Sequence, residues 1–281
     1  MVHLKPVDGT GIYLWKYLPS LPLASIFLGL FTIMTSLLCW RMIKTRLWFS
    51  AVFAAGGLCQ IIGYTARIFS YWHTDQIGPY IVQSMFILLA PVLYAASIYM
   101  VLGRLTRSVH GERFSVVHPR WITRLFVLGD FLALNVQGNG AGLMAKQKTQ
   151  KIGQGIVVAG LFVQLMIFGF FIVVAAVFHV RMRRSRAKEP RSSTDIPWRQ
   201  GLAMLYACSG LIIVRSIFRV VEYIMGTDGY PLTHEWTIYV FDAAPMWTVQ
   251  VIFFLWFPDK LNKASEGGED GQMLVGEVSR R

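Results

Sequence analysis

Seven apolar runs, each about as long as a bilayer core is thick, constrain this chain more than any other feature of it. A spanning helix needs about 20 mostly apolar residues. The sequence offers Leu21–Trp40, Leu47–Ser70, Pro79–Leu102, Ile122–Met144, Gly155–Val180, Gly201–Tyr223 and Trp236–Phe257. No stretch between them is long enough for a soluble domain. The composition argues the same way, with 54% of residues hydrophobic, 15% charged and a mean hydropathy of +0.49. A soluble domain carries about 25% charged residues, and one core could not bury this much apolar side chain. The expected fold is all-α, an integral membrane bundle of seven transmembrane helices over residues 21–257.

A formal charge of +12 would suit a nucleic-acid partner, but its distribution argues against one. Nineteen of the 27 Lys and Arg residues fall in loops 41–46, 104–124 and 181–199 and in the tail. The opposite side has five: Lys5, Lys16, Lys146, Lys148 and Lys151. Cytoplasmic loops collect Lys and Arg, so residues 1–20 are expected outside and the C-terminus in the cytoplasm. The plasma membrane is the expected location, with an internal membrane as the alternative. The acid- and glycine-containing tail 258–281 reads as disordered. The N-terminal stretch, with Lys5 and Lys16 ahead of an apolar run starting near Leu21, does not resemble a cleaved signal peptide.

Ionisable groups inside a bilayer are costly unless paired or wet, which makes them the informative residues. They are Arg67 in the second run, Asp130 in the fourth, Arg215, Arg219 and Glu222 in the sixth, and Asp242 in the seventh. Their formal charges cancel. Arg215, Arg219 and Glu222 stand at i, i+4 and i+7, one face of a helix. Arg67, Arg219, Glu222 and Asp242 are expected in the outer third, Arg215 nearer the middle and Asp130 closer to the cytoplasmic side. Amides gather in the outer half too: Gln83, Asn135, Gln137, Asn139 and Gln164. Of these groups, Arg67, Gln83, Asp130, Gln137, Gln164, Arg215, Arg219, Glu222 and Asp242 form the candidate substrate-binding set. They line a polar vestibule, or they tie helices together; the sequence leaves both readings open.

Three local features add detail. Gly138 and Gly142 have the spacing that lets two helix backbones approach closely, or that breaks a helix where a ligand sits. Pro91 should kink the third span and free a backbone carbonyl. A faint repeat relates Arg67-Ile-Phe-Ser-Tyr71 to Arg219-Val-Val-Glu-Tyr223, each followed by Thr-Asp, as a duplication of three helices or plain coincidence would leave it.

Several chemistries lack their residues. There is no phosphate-binding G-x-x-x-x-G-K-[S/T] loop, so the chain has no means of hydrolysing ATP. All six histidines lie in loops or at span edges, which disfavours a membrane zinc hydrolase. The seventh span has no lysine for a retinal Schiff base, and Cys39, Cys59 and Cys208 lie in separate spans. Neither an enzyme nor a cofactor is expected.

Several strings carry a family resemblance: GYTARIFS (63–70), YIVQSMFILLAPVLYAASIYMVLGR (80–104), LGDFLALNVQGNGAG (128–142), GLFVQ (160–164), RSIFRVVEY (215–223) and EWTIYVFDAAPM (235–246). The chain resembles the fungal RTA1-like, or lipid-translocating exporter, family from about the second span to the end of the seventh. One departure is Phe257-Pro258-Asp259, where the resemblance leads one to expect His-Pro-Gly. The resemblance implies translocation or export of an amphipathic lipid-like molecule, such as a sphingoid base, a sterol-like toxin or a porphyrin. The implied partners are membrane lipids and that substrate, with a homo-oligomer left open. The rival reading is a receptor or stress sensor, since an outer N-terminus and seven spans also describe G-protein-coupled receptors. Against it, Leu102-Gly103-Arg104 replaces an Asp/Glu-Arg-Tyr triplet and the seventh span lacks Asn-Pro-x-x-Tyr.

Overall fold

Each apolar run becomes one helix, because only intrahelical bonding satisfies the backbone of a segment surrounded by hydrocarbon. In the computed structural model these are α1 (Leu21–Thr45), α2 (Ala51–Trp72), α3 (Ile77–Ser108), α4 (Pro119–Met144), α5 (Gln150–Arg186), α6 (Trp198–Met225) and α7 (Trp236–Leu255). The described residues are 20–74, 76–109, 119–144, 149–186, 198–226, 229–230 and 234–257, and they contain no strand. Residues 1–19 and the tail 258–281 lie outside them, as do Asp75, Thr227 and Asp228 of the faint repeat. Six of the helices are long and apolar enough to cross a membrane by composition alone. The other, α4, is diluted by Arg124, Asp130, Asn135, Gln137 and Asn139. The protein is an integral membrane bundle of seven helices.

Successive helices pack against each other, α7 closes the ring onto α1, and α3 meets α6 across the middle. At one end the Ser20 backbone N–H donates to both oxygens of Glu235, at 2.9 and 2.8 Å. At the other, Arg41 donates to the Phe254 carbonyl at 2.6 Å and lies over the Phe254 and Phe257 rings. So α1 and α7 run parallel, pinned at both ends. The two ends of the bundle are called below the Ser20 end and the Arg41 end.

Burial follows from the ring. On α1 only the stripe Ala24, Phe31, Met34, Thr35 and Leu38 is buried, while Ile26, Ile33, Leu37 and Ile43 stay exposed for lipid. Such an apolar outer face suits a hydrocarbon solvent. By contrast α3 is the hub: from Ala90 to Gly103 only Leu93 and Met100 are less than fully buried.

The expectation for Gly138 and Gly142 needs correcting. A Cβ at either would meet nothing within 4 Å, because both face away from α5. The close approach of α4 and α5 uses Gly140 and Gly153. A Cβ on Gly140 would come within 2.9 Å of the Gly153 carbonyl, and one on Gly153 within 2.5 Å of the Gly140 carbonyl. Helical phase explains the choice, since Ala133, Gln137, Gly140 and Met144 share the face turned to α5.

Candidate functional site: a buried charge network at the Ser20 end

Two prolines prepare the site. Pro91 has no N–H, so the carbonyl of Ile87, four residues earlier, loses its helical donor. Arg215 of α6 takes that place, donating from Nη2 to the Ile87 oxygen at 3.0 Å. The freed carbonyl expected from the sequence is therefore a ligand of an intramembrane arginine. On α7, Pro245 likewise cannot bond to the carbonyl of Phe241. Just before it the helix widens into a π turn over Tyr239–Ala243, with the Ala244 N–H reaching back five residues to Tyr239. Asp242 sits in this turn. Single π turns often mark functional positions in helices.

Asp242 is the node of the network. Arg215 donates from Nε to its Oδ1 at 2.5 Å, and Arg219 donates from Nη2 to its Oδ2. Arg219 also donates from Nη1 to Glu222 Oε2 at 2.9 Å. Two guanidiniums and two carboxylates cancel, which is the condition for holding them at low dielectric. The network is graded in burial: the Asp242 side chain is 1% exposed and Arg219 is 12% exposed. Arg219 Nε, the Gln83 amide oxygen and the Tyr64 hydroxyl are buried and have no partner among the described residues. Gln83 stands one helical turn from Ile87 on α3. Unpaired buried polar atoms are rare in folded proteins and call for an explanation.

Nearer the end, Arg67 of α2 donates from Nη2 to Glu235 Oε1 at 2.7 Å and from Nε to the Tyr239 hydroxyl at 3.1 Å. The Tyr239 hydroxyl in turn donates to Glu235 at 3.0 Å. Beside them Phe27 stacks on Tyr239 at 5.3 Å and Phe31 on Tyr64 at 5.4 Å. Deeper, Gln250 donates from its amide nitrogen to Tyr94 at 2.8 Å and to Thr35 at 3.2 Å. That node needs Gly57, because a Cβ there would lie 2.8 Å from the Gln250 nitrogen. Glu235, Tyr239, Asp242 and Gln250 thus form one polar face down α7. Arg67 and Arg219, equivalent in the faint repeat, each bind a carboxylate on that face.

The remaining candidates lie elsewhere. Asp130 accepts a hydrogen bond from Tyr99 of α3 at 2.8 Å, and Gln137 donates to Gln164 of α5 at 2.8 Å. Asn135 and Asn139 face outward and bond to carbonyls of their own helix. The nine expected residues therefore fall into separate groups: the α6–α7 network with Gln83 close by, Arg67 with α7, Asp130 with α3, and the Gln137–Gln164 pair. Sequence reasoning passed over Glu235, Tyr239, Gln250, Tyr94 and Tyr99. Glu235 stood just ahead of the seventh run, yet its spacing of seven from Asp242 put it on the same face. The tyrosines read as ordinary apolar mass.

Fold and site together define a polytopic helical membrane protein with a charge-balanced polar network inside one end of its bundle. The family model described as RTA1 like protein matches residues 53–265, and this chain belongs to that family. Among its relatives in Saccharomyces cerevisiae is protoporphyrin uptake protein 1, 40% identical over 72% of this chain and 66% of its own length. Protein RTA1 is 37% identical over 73% of this chain and 64% of its own length. A sphingoid long-chain base transporter, RSB1, is 26% identical over 78% of this chain and 66% of its own length. The matches thus span just under two thirds of these relatives. No solved structure matches the chain.

Proposed function

We propose that this chain moves an amphipathic, lipid-like molecule across the bilayer without hydrolysing ATP itself, and that the Arg219–Glu222 edge of the network receives the charged head. The observation that carries the reading is a neutral network with one graded edge. Arg215, Glu222 and Asp242 are sealed, whereas Arg219 keeps some exposure and a free Nε–H. An amine would pair with Glu222, and a carboxylate or phosphate with Arg219. Gln83 Oε1 supplies an acceptor on the α3 side. The names of the relatives, one for protoporphyrin uptake and one for sphingoid long-chain base transport, support the same ligand class. An apolar groove of about 430 Å³ on the outer surface of α2 and α3, lined by Ile62, Ala66, Phe69 and Val82 among others, suits a hydrocarbon tail. Val82, in the groove, adjoins Gln83 in the chain, which sets the tail one residue from the acceptor proposed for the head.

By the distribution of Lys and Arg, the Ser20 end faces outward and the C-terminus lies in the cytoplasm; the plasma membrane is the location proposed, with an internal membrane as the alternative. Tags at both termini of the chain, probed in intact cells, test this; an accessible C-terminus with a shielded N-terminus overturns it. Function is tested with purified protein in liposomes, following a fluorescently labelled sphingoid base between leaflets. Accelerated movement, lost in Arg219→Gln, is the expected result. No movement of labelled base, sterol or porphyrin would replace this reading with the sensor.

A further inference from the structure

Asp130 differs from every other intramembrane charge described here. It is 1% exposed, its one hydrogen-bond donor is the Tyr99 hydroxyl, and its Oδ1 is buried without a partner. No cation pairs with it among the described residues. The elements around it supply none at its depth: α3 presents the neutral phenol of Tyr99, and α5 carries no charged side chain between Lys151 and His179. On α4 the nearest charge, Arg124, is exposed and about 9 Å along the axis. Tyr99 itself is packed by Phe126, Phe168 and Phe171 at ring-centroid separations of 5.3, 6.0 and 4.5 Å. A carboxylate there would hold a full negative charge against one phenol O–H in an aromatic surround. Adding a proton to Oδ1 removes that charge and leaves the Tyr99 bond to Oδ2 intact.

We propose that Asp130 is a proton-binding site, separate from the α6–α7 network, and that its loading and release couple proton flow to movement of the substrate. The second half rests on the transport reading above. Each cycle forms one O–H bond at the Asp130 carboxylate from a proton entering on one face, and breaks it to deliver that proton to the other. No electron changes hands. The mechanical link is α3, which holds Tyr99 and, three turns toward the Ser20 end, the Ile87 carbonyl bound by Arg215. Ionisable carboxyls inside membrane helices often mark proton relays.

Two measurements on the full chain test this. Infrared spectra of the wild type at neutral pH should contain the carbonyl band of a protonated, buried carboxylic acid, absent in Asp130→Asn. The amide of that variant still accepts from Tyr99, so the fold is retained. In liposomes loaded with labelled sphingoid base, an imposed pH gradient should raise the wild-type flux several-fold and leave the flux of Asp130→Asn unchanged. No band assignable to Asp130 would overturn the proton site. A full gradient response in Asp130→Asn would overturn the coupling. If the wild type moves no probe with or without a gradient, the transport reading and the coupling fall together, while the band still decides the proton site.

Discussion

The contact of α3 with α6 divides the bundle into two sides that bury polar groups by different means. With α1, α2 and α7, ions are held by ions: Arg215 and Arg219 on Asp242, Arg219 on Glu222, and Arg67 on Glu235. With α4 and α5, polar groups meet as single neutral bonds such as Gln137–Gln164, and the helices are held by backbone approach at Gly140 and Gly153. The first side depends on charge count and the second on volume. Each is therefore sensitive to a substitution that the other would tolerate.

The largest effect is expected where charge count breaks. Asp242→Asn leaves two buried guanidiniums sharing Glu222 alone. Stranding charge in this way costs on the order of 3–5 kcal/mol, so folded, surface-delivered protein should fall steeply. Adding Arg219→Gln restores the balance and should recover part of the yield, read by detergent-solubilised size-exclusion profiles. Recovered yield without recovered transport would mark the edge as substrate-contacting. Recovery of both would leave the charges as structural ties, and no rescue would show that the network is not coupled as its geometry implies.

On the other side the same argument is made with a methyl group. In Gly153→Ala the new Cβ meets the Gly140 carbonyl and the Met144 backbone nitrogen, neither of which can swing away. Overpacking of this kind costs about 1–3 kcal/mol and should lower the melting temperature in detergent. Gly138→Ala and Gly142→Ala place their methyls in open space. Replacing glycine in a helix gains roughly 0.5–1 kcal/mol, so these two should melt at or slightly above the wild type. A loss in Gly138→Ala equal to that in Gly153→Ala would contradict the α4–α5 interface.

The two sides were also unequally legible in the sequence. Helix number and the shared face of Arg215, Arg219 and Glu222 follow from run length and period, which are local quantities. So does the carbonyl freed by Pro91, because the missing donor is a property of the residue itself. Which group would claim that carbonyl was not readable, since Arg215 reaches it from 128 residues away. The Arg67 partnership with Glu235 was hidden for a related reason: a carboxylate just outside an apolar run looks like a loop charge until the helix is known to begin there. Gly138 and Gly142 misled because a small-residue spacing is shared by any two positions four apart. Only the azimuth of α4 against α5 selects Gly140.

The smallest expected effect tests whether neutral bonds on the α4–α5 side matter at all. Gln137 and Gln164 exchange one hydrogen bond, and the Gly160 position packs against the Gln137 side chain. Hydrogen bonds between membrane helices average about 0.6 kcal/mol in double-mutant cycles and reach about 1.7, because each partner finds another bond when the helices separate. Gln137→Leu and Gln164→Leu should therefore each shift stability slightly. The cycle closed with the double mutant should give a coupling near the average, measured by reversible unfolding in mixed micelles. The Arg219–Glu222 cycle, run in parallel with glutamines, should give a larger coupling because each single change there unbalances a buried charge. A Gln137–Gln164 coupling above that of the ionic pair would reverse the contrast between the sides and make the amides a specific site.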